Sequence, residues 1–211
     1  MKNKGINLRT IIKQHILNNK KEYTIVCLLF VIGIFLGVLF VNNVQEAQKI
    51  EINSYLNNFI EKLKQTESLN KIELLKNSIG QNIVITVIIW FFGTTVIGLP
   101  VVFGVVVYRG FCLGYTISAI ISIMGISKGL LFILISIFLQ NIICIPAYLA
   151  LAVSGFKLYK SIIKDNRKDN IKLEIIRHTI FSIIMLIVLI ISSCIEILIS
   201  TTFLKNVIKY F

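Results

Sequence analysis

The sequence predicts an all-α integral membrane protein with about five transmembrane helices and one extracytoplasmic amphipathic helical segment, forming a single membrane domain over residues 1–211. Hydrophobic residues make up 56% of the chain and charged residues only 15%, and the mean hydropathy is +0.84. The hydrophobic residues lie in long runs, several of which exceed the roughly 18 residues that a helix needs to cross a hydrocarbon core about 30 Å thick. Such a chain requires lipid as its solvent.

The N-terminal segment, residues 1–23, contains six lysine and arginine residues, with apolar residues at helical spacing between them. This pattern predicts a basic helix that lies on the cytoplasmic interface. The first transmembrane helix follows at 24–41, and its 18 residues span about 27 Å at the rise of an α-helix. No clear small-x-small cleavage site follows the run, so we predict an uncleaved anchor.

Residues 42–81 form the longest polar stretch and carry five acidic residues against five lysines. Apolar residues recur there at intervals of three and four, which predicts two amphipathic helices. These apolar stripes either lie on the membrane surface and the spans or bind a partner protein. Zero net charge offers little attraction to anionic lipid and so favours a protein partner. The predicted partner-binding residues are Ile52, Tyr55, Leu56, Phe59, Ile60 and Leu63.

Residues 82–126 are long enough for the second and third transmembrane helices, but the sequence offers two positions for the turn between them. One turn lies at 108–110, which makes Arg109 a turn residue and leaves a helix kinked at Pro100. The other lies at 98–100, because glycine and proline often end helices. Arg109 would then lie well inside the third span, and both alternatives remain open.

The remaining chain predicts a fourth span at 130–153 that is kinked at Pro146, a cytoplasmic basic loop at 154–178, a fifth span at 179–203 and a short tail at 204–211. With the N-terminus in the cytoplasm, most of the 22 lysine and arginine residues lie on the cytoplasmic side, as the positive-inside rule requires. Residues 42–81 are then extracytoplasmic.

Arg109 and Glu196 are the charged residues predicted to lie deepest in the membrane. An arginine near the centre of a span costs roughly 2.5 to 3.5 kcal/mol on insertion scales. If Arg109 lies within a span, we therefore expect it to face protein, water or an opposite charge. Glu196 lies near the end of the fifth span, where its side chain could also extend to the interface.

Glycines mark the predicted helix-packing surfaces. Two G-x-x-x-G pairs, Gly33 with Gly37 and Gly110 with Gly114, are typical of close helix contact, although such pairs also arise by chance in apolar sequence. Gly93 and Gly98 extend the glycine-rich region and make the second and third spans the expected centre of tight packing.

Signatures of catalysis and cofactor binding were not found in the sequence. It contains no phosphate-binding loop and no H-E-x-x-H zinc motif, and its four cysteines lie singly in hydrophobic segments. We therefore expect no enzymatic activity, no metal and no cofactor. The net charge of +12 is explained by membrane topology, so we expect no nucleic-acid partner.

The order of these features resembles the stage II sporulation protein M family over nearly the whole chain. The resemblance comprises the basic N-terminal segment, one span, the amphipathic segment, Asn82 at the start of a glycine-rich double span, and the motif RGFCLGYTISAII at 109–121. It implies a protein of the cell membrane that acts at the septal or engulfing membrane of endospore-forming bacteria. It also implies that the protein acts as the membrane anchor of a complex with the stage II sporulation proteins D and P, which degrade septal peptidoglycan.

The expected function is a non-enzymatic membrane scaffold that recruits and localises peptidoglycan hydrolases during forespore engulfment. The alternative is a small permease-like membrane protein or transporter subunit. Two observations favour this alternative. The glycine-rich spans are kinked at Pro100 and Pro146, and Arg109 lies within a span if the turn is at 98–100.

Overall fold

The computed structural model describes residues 14–44, 46–64, 71–95, 97–134, 139–164 and 168–208. Within these ranges, side chains are not described at 46–47, 56–57, 59–60, 62–64, 139–140, 164, 168–170 and 198–208. The described ranges contain helices and no strands, so the predicted all-α fold is confirmed. The helices are α1 Lys20–Asn43, α2 Glu46–Lys64, α3 Lys71–Gly93, α4 Leu99–Met124, α5 Ile126–Ile133, α6 Leu139–Lys164 and α7 Lys168–Ile208.

Five of these helices are long and apolar enough to cross a membrane, which confirms the predicted number. The candidate spans are Lys20–Asn43, Lys71–Gly93, Leu99–Met124, Asn141–Ile163 and Ile171–Ile197. The helix α2 is polar and α5 has only 8 residues, so neither meets the length and apolarity that a span requires.

The helix α3 ends at Gly93 and α4 begins at Leu99, so the turn position at 98–100 describes the chain better than the one at 108–110. Gly98 is the residue that precedes α4, and a Cβ there would lie 2.0 Å from the carbonyl oxygen of Phe92. Pro100 lies in the first turn of α4, where its missing N–H removes no helical hydrogen bond. As a result, Arg109 lies ten residues inside α4, about 15 Å from its start.

The chain departs from the predicted boundaries after α4. Gly125 separates α4 from α5 with a φ of 74°, a backbone conformation that glycine adopts without strain. The short helix α5 packs Phe132 and Ile133 against Ile120 of α4. The fourth candidate span, Asn141–Ile163, overlaps the predicted span at 130–153 and continues ten residues beyond its C-terminal bound.

Most of the segment predicted as a basic loop at 154–178 is helical. The helix α6 continues to Lys164 and α7 begins at Lys168. The continuation of α6 is explained by burial, because Phe156 and Leu158 pack inside the bundle. The last helix has 41 residues, which is about 60 Å of helix and twice what the hydrocarbon core requires.

The five spans alternate in direction, which defines two ends of the bundle. At one end α2 lies beside the C-terminal ends of α1 and α4, and we call this the α2 end. The other end carries the α3–α4 turn, and there Lys160 of α6 forms an ion pair of 2.6 Å with Glu22 of α1. We call it the turn end. Between the two ends lies a core whose fully buried members include Val26, Ile89 and Leu189.

Candidate functional site

The two G-x-x-x-G pairs face each other across α1 and α4. A Cβ at Gly33 would lie 2.2 Å from the carbonyl oxygen of Val107. A Cβ at Gly37, Gly110 or Gly114 would likewise lie 2.1 to 2.3 Å from a backbone carbonyl oxygen of the facing helix. The two parallel backbones are therefore in direct contact, and any larger side chain at these positions would force them apart.

A second close crossing joins α3, α6 and α7 near the turn end. A Cβ at Gly93 would lie 2.9 Å from Nε2 of His178 and 3.2 Å from the Cα of Gly155. His178 is only 2% exposed, and its Nδ1 lies 2.9 Å from Oγ of Ser154. The sequence places His178 at a membrane boundary, whereas the structure buries it between helices.

Arg109 lies near the middle of the bundle and is held by neutral partners from two other helices. Its Nη2 donates hydrogen bonds to Oδ1 of Asn82, at 3.3 Å, and to the hydroxyl of Tyr148. The Tyr148 hydroxyl in turn donates to Oδ1 of Asn82. The guanidinium carbon also lies 4.5 Å from the centre of the Tyr148 ring. These contacts join α3, α4 and α6.

Further hydrogen bonds connect this group to α7. Nδ2 of Asn82 donates to Oγ of Ser193 at 2.7 Å. Oγ of Ser78 lies 3.0 Å from Ser193 Oγ and 3.1 Å from Oε2 of Glu196. The two predicted intramembrane charges, Arg109 and Glu196, therefore belong to one layer of polar side chains. We call this set the polar layer; it consists of Ser78, Asn82, Arg109, Tyr148, Ser193 and Glu196.

Burial makes the hydrogen bonds of the polar layer necessary. Asn82 is 2% exposed, Ser193 is fully buried and Tyr148 is 6% exposed. A polar group without a partner costs several kcal/mol where water is excluded. Most of these groups are paired with each other, but Nε of Arg109 has no hydrogen-bond partner among the residues that the structure describes. The guanidinium thus has an unpaired donor at this buried atom.

Four residues of the polar layer, Ser78, Arg109, Tyr148 and Glu196, line a cavity of about 360 Å³ between the spans. Gln81 and Thr116 line this cavity near the α2 end, and both are exposed. Ile89 and Val106 line it toward the turn end, and both are buried, at 0% and 3% exposure. The cavity is therefore more accessible beside Gln81 and Thr116 than beside Ile89 and Val106.

The helix α2 carries the residues predicted to bind a partner. Ile52 and Tyr55 line a mainly apolar groove of about 500 Å³, whose opposite wall includes Phe40 of α1 and Tyr115 and Ile120 of α4. Gln48 and Glu51 of α2 also line it. Tyr55 is 74% exposed. The remaining predicted residues have side chains outside the described part of the structure; they are Leu56, Phe59, Ile60 and Leu63.

The N-terminal segment contacts α7 through His15. Its ring stacks on Phe181 with a centroid distance of 5.4 Å, and its Nδ1 lies 3.3 Å from the hydroxyl of Tyr23. Partial burial lowers the pKa of His15 below its ordinary value, and the positive charge of Lys157 lowers it further. The neutral imidazole is therefore the form that fits this contact.

The polar layer contains residues that sequence reasoning did not select. Arg109 and Glu196 stand out because they are charged, whereas Tyr148 and Ser193 are uncharged residues within apolar runs. Polar residues inside a predicted span are nevertheless a signal, because they require a partner from another helix. In the described part of the chain, no group of three or more His, Cys, Asp or Glu side chains is placed to hold a metal ion.

Comparison with models of known protein families matches residues 26–201 to the family described as Stage II sporulation protein M. Neither the curated proteins nor the solved structures that were searched contain a match. The matched residues include four of the five candidate spans entirely and most of the first. Because the match covers most of the chain, the protein is a sporulation-related membrane protein that belongs to the stage II sporulation protein M family.

Proposed function

We propose that this protein is a non-enzymatic membrane scaffold that recruits and localises peptidoglycan hydrolases at the septal membrane during forespore engulfment. The proposed partners are the stage II sporulation proteins D and P, and these partners would supply the hydrolytic chemistry. Membership of the family supports a role in sporulation. The recruiting step itself rests on the surface that α2 forms at one end of the bundle.

The observation that carries the proposal is the apolar groove beside α2. Its walls combine Ile52 and Tyr55 with aromatic and aliphatic side chains of α1 and α4. An apolar groove of this kind can receive an amphipathic or membrane-proximal helix of another protein. We place α2 outside the cytoplasm, because the resulting topology keeps most lysine and arginine residues inside. A partner that acts on the cell wall would then reach the groove.

Co-purification from sporulating cells tests this function. We expect Ile52→Asp with Tyr55→Asp to reduce recovery of the proteins D and P at least tenfold, because two carboxylates would line an apolar surface. Ile50→Asp is the matched control, since Ile50 lies on the same helix, is 68% exposed and does not line the groove. Undiminished recovery with the double variant, at wild-type expression, would refute docking at this groove.

The cavity beside Arg109 favours a second candidate function, a permease-like protein or transporter subunit. An arginine within a span that lines a polar cavity is typical of substrate paths in membrane proteins. Ile89 and Val106 line the cavity and are buried, so among the described residues the cavity is not accessible beside them. Solute flux in proteoliposomes tests this alternative. If Arg109→Gln abolishes the flux while recovery of the proteins D and P persists, the transport function replaces the scaffold function.

A further inference from the structure

The cavity along the polar layer carries two opposite charges, Arg109 and Glu196, on its walls. Its volume of about 360 Å³ lies within the range of roughly 300 to 1,000 Å³ that small-molecule sites occupy. Gln81, Thr116 and Asn141 add polar groups to the lining. The cavity thus has the size and the mixed lining of a binding site for a small polar molecule.

The shape of the cavity determines how a ligand would reach it. Exposed residues line the α2 end, and buried apolar residues line the floor. A ligand would therefore reach the cavity past Gln81 and Thr116. Because this arrangement needs no path across the bilayer, the inference concerns binding and does not depend on the scaffold function or on transport.

The charge that the cavity presents to a ligand is dipolar. Arg109 donates the hydrogen bonds that orient it to Asn82 and Tyr148, and these neutral groups add no negative charge. Arg109 itself is half-buried and lines the cavity. Glu196 lies at the other end of the hydrogen-bonded chain that runs through Ser78. The site therefore offers one cation and one carboxylate at separate positions of one wall.

A ligand with a single charge would be attracted by one of these groups and repelled by the other. A ligand that carries both charges complements both groups, and electrostatic complementarity of this kind determines specificity. We propose that the cavity binds a small zwitterion, in which an anionic group contacts Arg109 and an ammonium group contacts Glu196. A free amino acid or short peptide and the ethanolamine phosphate headgroup of a lipid share this chemistry.

Calorimetric titration of the full chain in lipid nanodiscs tests the proposal with defined probes. The zwitterionic probes are alanine, dialanine and glycerophosphoethanolamine, and the singly charged probes are acetate and ethylammonium. We expect at least one zwitterion to bind, and the singly charged probes to bind at least tenfold more weakly. Binding of alanine or dialanine assigns the site to a free molecule, and binding of glycerophosphoethanolamine alone assigns it to a lipid headgroup.

Substitutions locate the binding to this cavity. Arg109→Gln and Glu196→Gln should each weaken it by about 10- to 100-fold, the effect of losing a hydrogen bond to a charged group. Arg177→Gln and Glu174→Gln are the charge-matched controls, because these residues form a pair on α7 outside the cavity, and we expect no change. Leu113→Trp, which fills the cavity and leaves the polar layer intact, should abolish binding even where Arg109→Gln impairs folding.

Three results would overturn the proposal. The first is no heat of binding with any zwitterionic probe at millimolar concentration. The second is equal affinity for acetate or ethylammonium, which would indicate a site for one charge only. The third is zwitterion binding that survives Leu113→Trp unchanged, which would place the ligand elsewhere on the protein.

Discussion

Asn82 and Arg109 lie on the two antiparallel helices α3 and α4 and are joined by a hydrogen bond of 3.3 Å from Nη2 to Oδ1. Asn82 lies midway along α3 and Arg109 lies ten residues into α4. The helical hairpin therefore has a polar contact at half its height. Because lipid supplies no hydrophobic drive for helices to associate, such contacts and close packing hold the bundle together.

We predict that Asn82→Leu destabilises the protein by about 1 to 3 kcal/mol, because it leaves Arg109 and Tyr148 without their shared acceptor. Thermal unfolding in detergent measures the change. The control is Asn43→Leu, since Asn43 is exposed and bonds only to the carbonyl of Leu39 in its own helix. Equal stability of the two variants would show that the polar layer contributes little to the fold.

We predict that Gly110→Ala separates α1 from α4 and lowers stability by about 1 to 3 kcal/mol, the usual cost of overpacking. The new Cβ would lie 2.3 Å from the carbonyl oxygen of Phe30. Gly104→Ala is the matched control on the same helix, because among the described residues no atom beyond the adjacent helix backbone lies within 4 Å of a Cβ there. We expect the control to be neutral or up to about 1 kcal/mol stabilising. A wild-type unfolding midpoint for Gly110→Ala would contradict the close crossing.

We predict that the α2 end is extracytoplasmic. In a variant whose four native cysteines are replaced by alanine, Tyr55→Cys should react with a membrane-impermeant thiol reagent in intact cells, because Tyr55 is 74% exposed. Lys157→Cys, at the exposed turn end, should react only after the cells are opened. The reverse pattern of labelling would invert the topology.

We predict that acidification weakens the contact of the N-terminal segment with α7. The pKa of His15 is lowered from an ordinary value of 6.5 by burial and by Lys157, so the unfolded chain binds this proton more tightly than the folded chain does. The stability that neutral His15 contributes is therefore complete above pH 6.5 and is lost as the pH falls through the lowered pKa.

Unfolding midpoints at pH 7.5 and pH 5 measure this effect. His15→Phe retains an aromatic ring against Phe181 and removes the titrating group. We expect the midpoint to fall more for the wild type than for this variant. An identical fall for both proteins would assign the pH dependence to other groups.

The sequence was sufficient to predict the five spans, because the length and apolarity of a run follow from composition alone. The turn between α3 and α4 could not be decided, since Gly98 with Pro100 and Arg109 with Gly110 offer equally good local signals. The choice depends on tertiary contacts: Arg109 is tolerable at mid-height because Asn82 and Tyr148 reach it from two other helices. A pattern read along one chain segment contains no information about such partners.

The end of α6 was predicted incorrectly for a similar reason. The residues after Val153 include several lysines and suggest a loop, yet Phe156 and Leu158 are buried and continue the helix. The facing glycine pairs were predicted in part. Spacing identified Gly33, Gly37, Gly110 and Gly114 as candidates, and only the three-dimensional contact shows that the two pairs are each other's partners.

The long helix α7 is apolar over most of its length, so lipid alone would allow it to shift along the membrane normal at little cost. Ser193 and Glu196 remove that freedom. A shift by one helical turn, about 5.4 Å, would place Leu189 or Ile197 opposite Asn82 and remove the 2.7 Å hydrogen bond from its amide to Ser193. The polar layer therefore fixes the vertical position of α7, and with it the distance by which each end of this 41-residue helix extends beyond the bilayer.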